Sequence, residues 1–170
     1  MVETQIPQGS TLSETKKEKY KALLPSLQAL VKDEPDLNAN LGNLLAALKE
    51  AMGFHWIGLY RAVAATGGRM GRELVLGPFQ GPVACTRIGY GKGVCGACWQ
   101  LEKVLIVPDV HVFPGHIACS ALSKSEIVLP VFKEGRVAMV LDVDSQHQAA
   151  FDETDSEFLL QVVTIIERML

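Results

Sequence analysis

Two apolar runs, Ile127 to Phe132 and Arg136 to Val143, are separated only by Lys133-Glu134-Gly135. A connection this short joins antiparallel strands, because a parallel crossover needs a dozen or more residues. The chain is therefore committed to a hairpin here. A three-residue loop with Gly135 in the left-handed position would pair Phe132 with Arg136 and set Glu126 opposite Asp142. A two-residue Glu-Gly loop is the competing choice, and a slip of one residue would turn every side chain to the other face. Asp142 and Asp144 are two apart on one strand, so they point the same way. With Glu126 opposite, the three acids share a face. Such a cluster repels itself, so it either binds a cation or keeps at least one member protonated. In the plainer reading Asp144 caps a solvated strand end and Asp142 alone is semi-buried.

The rest of the pattern supplies helices at both ends. Residues 1–12 are expected to form a flexible tail and 13–170 one domain. Ser13-Glu14-Thr15-Lys16 can open a helix. Tyr20, Leu23, Leu24, Leu27, Leu30 and Val31 then recur at helical spacing, and Pro25 should kink or split that helix. A second helix is expected over Asn40 to Met52, with Gly53 as its C-cap. Strands are expected at Phe54 to Ala62, Glu73 to Phe79, Ala84 to Ile88 and Val104 to Val107, with a turn at Thr66-Gly67-Gly68. A glycine-rich loop, Gly89 to Gly96, leads into a short helix over Val94 to Leu101. A long loop follows from Pro108 to Ser123. Phe151 to Leu170 reads as an amphipathic helix capped by Asp152. Two helices, a run of antiparallel strands and a final helix predict an α+β fold: a central antiparallel sheet with N- and C-terminal helices packed on one face and a ligand pocket on the other.

Composition narrows the function. A net charge of -3 over 170 residues gives no basic footprint for nucleic acid or anionic lipid. The apolar stretches are too short to span a bilayer. The N-terminus shows no secretory pattern, which predicts a cytoplasmic protein. In a reducing compartment the four cysteines, Cys85, Cys95, Cys98 and Cys119, are candidates for catalysis, metal binding or inert burial rather than permanent disulfides.

Cys119 lies in the long loop a few residues before Glu126, which predicts that it sits near the acids. Cys95 falls at the start of the short helix, where unpaired amides favour a thiolate. Cys98 follows at CxxC spacing, but the βαβ context of a thioredoxin-like pair is missing. Zinc could use Cys95 and Cys98 with Cys85, Cys119, His111 or His116, yet no second short-spaced pair exists. Gly91-Lys92-Gly93-Val94-Cys95-Gly96 matches GxGxxG without the crossover helix of a dinucleotide fold. Its glycines are read as tight-turn positions. His111 and His116 are either general acids or ordinary loop donors. Trp56 is either core or one wall of a pocket for a thioether.

LVLGPFQGPVAC at 74–85, GYGKGVCG at 89–96, PDVHVFPGHIAC at 108–119, SEIVLP at 125–130 and LDVDS at 141–145 occur in order. Together they closely resemble the free methionine-(R)-sulfoxide reductases, a GAF-domain family, from about Tyr20 to the C-terminus. The resemblance implies a GAF-like fold and a thiol-dependent oxidoreductase. It implies Cys119 as catalytic cysteine, Cys85 as its main resolving partner and Cys95 as a third thiol that can join exchange. It implies Glu126, Asp142 and Asp144 as acids that bind substrate, with Trp56 at the pocket. Free methionine sulfoxide as substrate, thioredoxin as reductant and a homodimer follow from the same likeness, and the residues themselves lead us to expect no cofactor or metal. Two features depart from the family pattern. Cys98 is additional, leaving a Cys95–Cys98 shuttle open, and Ser120-Ala121-Leu122 replaces a more polar run after the catalytic cysteine. A non-catalytic sensor of the same fold is the rival reading; the acid trio suits an ammonium and repels a phosphate.

Overall fold

The computed structural model describes residues 12–64, 71–117 and 120–170. The expected tail lies outside them except for Leu12, as do the Thr66-Gly67-Gly68 turn and Cys119. The elements run α1 (Leu12–Leu30), α2 (Leu37–Met52), β1 (Trp56–Ala64), β2 (Arg72–Gln80), β3 (Arg87–Gly89), α3 (Gly93–Leu101), β4 (Leu105–Val107), a 3-10 turn (Val110–Val112), β5 (Ser125–Lys133), β6 (Arg136–Ser145) and α4 (Glu153–Glu167). All strand pairs are antiparallel, in the order β3-β2-β1-β6-β5-β4.

Helix α1 runs unbroken through Pro25, so of the kink or split expected there the split does not occur. Proline removes one amide donor and leaves the Lys21 carbonyl unpaired. Both residues are exposed, so water can take that acceptor, while Tyr20 and Leu27 anchor the other face in the core. Tyr20 also stacks on Phe158 and donates to Asp155 at 2.8 Å, and Lys16 pairs with Asp152 and Asp155. The first and last helices are thereby joined. Asp36 caps α2 through the Ala39 amide, and Gly53 closes it in the left-handed conformation. Asp152 and Asp155 form a reciprocal capping box at α4.

The two faces of the sheet divide the core. Ile57, Leu59, Ile127, Leu129, Leu141 and Val143 pack against α1, α2 and α4. Trp56, Tyr60, Ile88, Val128 and Val140 face the other way, beneath α3 and the long loop. This matches the expected fold, with α3 as the cover of the second face. The strand expected at Ala84 to Ile88 is confined to Arg87–Gly89. Residues 84 and 85 peel off the sheet edge, and Ala84 lines the pocket instead.

The hairpin corrects the expected register. Its loop has two residues, Glu134 and Gly135, both at positive φ (51° and 75°), and Lys133 pairs with Arg136. That alone would shift the pairing by one and reverse the faces. An irregularity between Val131 and Phe132 adds a second residue of shift. The result is two, so the faces are kept. Glu126 stands opposite Asp144, not Asp142, and Asp142 faces Val128.

Candidate functional site

The central strands bring the acids together. Trp56 on β1, Asp144 on β6 and Glu126 on β5 form one row across the sheet, and Gly58, Asp142 and Val128 form the next. Alternation then places Tyr60 on the same face. Above this floor lie Val94 and Cys95 from α3. Val83, Ala84, His116, Ile117, Ser120 and Ser123 complete the lining. The acids are therefore not a solvated strand end. They form the polar floor of a pocket with aromatic and apolar walls.

Burial dominates the electrostatics. Glu126 and Asp142 are each only 6% exposed. Burial raises the Asp142 carboxyl from 3.8 to about 6, with hydrogen bonds to Cys95 and Glu126 opposing. Burial, then the charges of Asp142 and Asp144, holds Glu126 well above the usual carboxylate range. Asp144 is also held high, by burial and by Asp142, with the nearby Ser123 hydroxyl pulling the other way. The protons belong to the cluster rather than to single residues. Asp142 Oδ1 and Ser123 Oγ are buried without a hydrogen-bond partner of good geometry. An unpaired buried acceptor of this kind favours an incoming donor.

Cys95 donates its thiol to Glu126 Oε1 at 3.8 Å. Its position in the first turn of α3 suggested a thiolate. Instead, burial and the charges of Asp142 and Glu126 push the thiol well above its ordinary range. The helix terminus is outweighed because the thiol is buried and two carboxylates act on it. Cys98 is fully buried and raised by the same causes in the same order. Cys95 and Cys98 are free thiols, whereas Cys85 is disulfide-bonded.

The first strand organises the segment bearing Cys85. The Trp56 indole donates to the Pro82 carbonyl and the Tyr60 hydroxyl to the Cys85 carbonyl, both at 3.0 Å. Trp56 stacks between Tyr60 and Phe79. Room for its ring depends on Gly58, where a Cβ would overlap the indole and crowd Phe79. The glycine-rich stretch has the expected structural role: Gly91 and Gly93 adopt positive φ (72° and 58°), and Gly96 lets the Gly89 carbonyl lie against α3.

Cys119 lies outside the described residues, but residues on both sides of it, Ile117 and Ser120, line the pocket. His116 also lines it and is held neutral-leaning by burial and by His111. His111, on the 3-10 turn, does not line it. The scattered zinc set of the sequence reading is not brought together among the described residues. Only Cys95 joins a potential ligand group, and its companions are Glu126 and Asp142. Tyr60 and Ser123 were not singled out from sequence. Tyr60 was recoverable from strand alternation with Trp56; no local signal marked Ser123.

The GAF-domain family model matches residues 36–170. The chain is 53% identical over 153 residues to GAF domain-containing protein A of Dictyostelium discoideum, covering 90% of this chain and 93% of that one. It is 42% identical over 156 residues to the free methionine-R-sulfoxide reductase of Escherichia coli, covering 91% and 90%. The crystal structure of free methionine-R-sulfoxide reductase from Neisseria meningitidis, in complex with its substrate, superposes with a TM-score of 0.84 at 46% identity, covering 99% of this chain and 95% of that one.

Proposed function

The chain belongs to the GAF-domain family, and on that premise we propose that it is a free methionine-R-sulfoxide reductase acting through Cys119. The observation that carries this reading is the trio Glu126, Asp142 and Asp144 on the floor of a pocket bordered by the segment that contains Cys119. The likeness to reductases from Escherichia coli and Neisseria meningitidis supports it.

The substrate ammonium sits over the acids and supplies the donors that Asp142 Oδ1 lacks. Trp56 and Tyr60 wall the thioether end. Cys119 attacks the sulfoxide sulfur while a raised-pKa member of the acid trio protonates the sulfoxide oxygen, and that oxygen passes to the cysteine sulfur as the bond between Cys119 and the substrate sulfur breaks. The sulfoxide gains two electrons and leaves as methionine, while Cys119 becomes a sulfenic acid. The Cys85 thiol displaces water from that sulfenic acid and forms a Cys85–Cys119 disulfide. The disulfide state of Cys85, alongside free Cys95 and Cys98, supports this pairing. An external dithiol, thioredoxin in the cell, reduces the bond by exchange, with Cys95 available as a third exchanging thiol. Family likeness further supports a cytoplasmic homodimer that repairs oxidised free methionine.

Selectivity for the free amino acid follows from the floor. A peptide-bound residue presents an amide where the ammonium belongs, leaving buried carboxylates unpaired, and sites of that kind discriminate by about 10⁴. The test is turnover of free methionine-(R)-sulfoxide with dithiothreitol, against N-acetylmethionine sulfoxide. Consumption of the free form alone, abolished in Cys119→Ser, is expected. Binding without consumption would make the protein a sensor instead.

A further inference from the structure

We infer that the pocket floor is also a binding site for a thiophilic divalent cation, best matched by Zn²⁺, with Cys95 Sγ and one carboxylate oxygen each from Glu126 and Asp142 as ligands. These three ligand atoms lie within 4.8 Å of one another, and all three residues are buried. The Cys95 Sγ to Glu126 Oε1 distance is 3.8 Å. A tetrahedral zinc ion with bonds of about 2.3 Å to sulfur and about 2.0 Å to oxygen needs sulfur–oxygen edges of roughly 3.5 Å. The observed edge is within a few tenths of that value. An independent observation points the same way: Asp142 Oδ1 is buried in this cluster with no hydrogen-bond partner.

The donor set selects the ion. A thiolate with two carboxylates favours zinc or cadmium over magnesium and calcium, which prefer more oxygen ligands. Three protein ligands leave a fourth position facing the pocket, where Trp56 and Tyr60 stand. Uptake transfers the Cys95 thiol proton to solvent, because the coordinated sulfur is a thiolate. The ion's charge then offsets carboxylates that otherwise repel one another. Metal binding itself does not depend on the catalytic reading. Where that reading holds, the ion occupies the place of the substrate ammonium, and the two exclude each other.

The test uses the full chain in its disulfide form, with Cys85 bonded and added reductant removed, titrated with Co²⁺ and then Zn²⁺. One cobalt per chain, a thiolate-to-cobalt charge-transfer band, and displacement by one zinc are expected. Cys95→Ser and Cys95→Ala should each abolish the band and weaken zinc binding at least a hundredfold. Asp142→Asn should weaken it at least tenfold, and Cys98→Ser should leave band and affinity unchanged. Circular dichroism verifies the fold of each variant. Absence of stoichiometric uptake by folded wild type overturns the inference. So does a band that survives loss of Cys95 or disappears with Cys98. Proton release on zinc uptake by wild type provides a reading that needs no variant, and its absence also overturns the site. Saturating free methionine sulfoxide should raise the apparent zinc Kd. Turnover without metal uptake would sink this site and spare the enzyme; uptake without turnover would do the reverse.

Discussion

Glu126 on β5 and Asp144 on β6 are direct cross-strand partners. Like charges placed opposite one another destabilise a sheet, and burial raises both groups further. The folded state therefore holds protons that the unfolded chain releases at lower pH. Stability from the trio is fully present below the unfolded carboxylate range, near pH 4. It is lost as pH rises through the folded values. Asp142 alone, raised from 3.8 to about 6, forfeits on the order of 3 kcal/mol. Glu126→Gln should thus melt higher than wild type without substrate, by a gap that widens from pH 4 to pH 8. At about 2–4 °C per kcal/mol for a chain this size, calorimetry across pH will show it. A gap that narrows with pH would refute the buried-acid assignment.

Neutralising a floor acid should injure function even where it helps the fold. An ammonium over the floor pairs with carboxylates that are already desolvated. Removing one partner of such a buried pair costs about 2–5 kcal/mol. Asp142→Asn should lower kcat/KM for free methionine sulfoxide by roughly 10² or more. In wild type, kcat/KM should climb as pH rises past about 6 and Asp142 ionises. Steady-state kinetics between pH 5 and 8 decide this; a flat profile would remove Asp142 from ammonium recognition.

How far the sequence foretold the site depends on which forces act locally. The body and end of helix α2 were legible because apolar spacing and the Gly53 terminator agree, whereas its start at Leu37, capped by Asp36, lies three residues before the expected Asn40. The face shared by the acids was legible as well, although the register behind it was not. A two-residue turn and an irregularity near Phe132 each shift the pairing by one, and their sum preserves side-chain direction. Sequence shows the turn residues but not the bulge, which is set by packing. Cys95 failed for a related reason: a helix terminus can be read from spacing, whereas the carboxylates that reverse its effect arrive from distant strands. Pro25 does not split α1 because breaking rules assume a bare helix, and α1 is pinned to α4 through Tyr20 and Lys16.

Gly58 is the position where a small change should move the pocket wall. It stands opposite Asp142, and any Cβ there overlaps the Trp56 ring. Trp56 also packs against Gly81 and holds the Pro82 carbonyl, so it has no free direction to yield. Overpacking of this kind costs about 1–3 kcal/mol. Gly58→Ala should lower the melting temperature, shift tryptophan emission to the red and raise KM. A variant with unchanged emission and KM would show that the ring does not shape the pocket.

His55 links the end of β6 to the residue after Cys119. The Gln146 amide donates to His55 Nδ1 at 3.0 Å, so the proton must sit on Nε2, which contacts Ser120 Oγ at 3.4 Å. Ser120 Oγ in turn accepts the Leu122 amide. Burial, then Lys49, lowers the His55 pKa, which keeps the ring neutral at pH 7 and this relay intact. His55 does not line the pocket, so an effect on turnover would have to pass through Ser120. One such hydrogen bond is worth about 0.5–1.5 kcal/mol. His55→Ala should therefore reduce kcat roughly three- to tenfold while KM stays nearly constant. Ser120→Ala should match it, and His55→Gln should recover part of the loss. Protonation of His55 would turn Nδ1 from acceptor to donor and break the link to Gln146. Wild-type kcat should then fall at acid pH along a limb that His55→Gln lacks. Equal acid limbs in the two proteins, or a KM effect as large as the kcat effect, would show that the relay does not hold the cysteine segment.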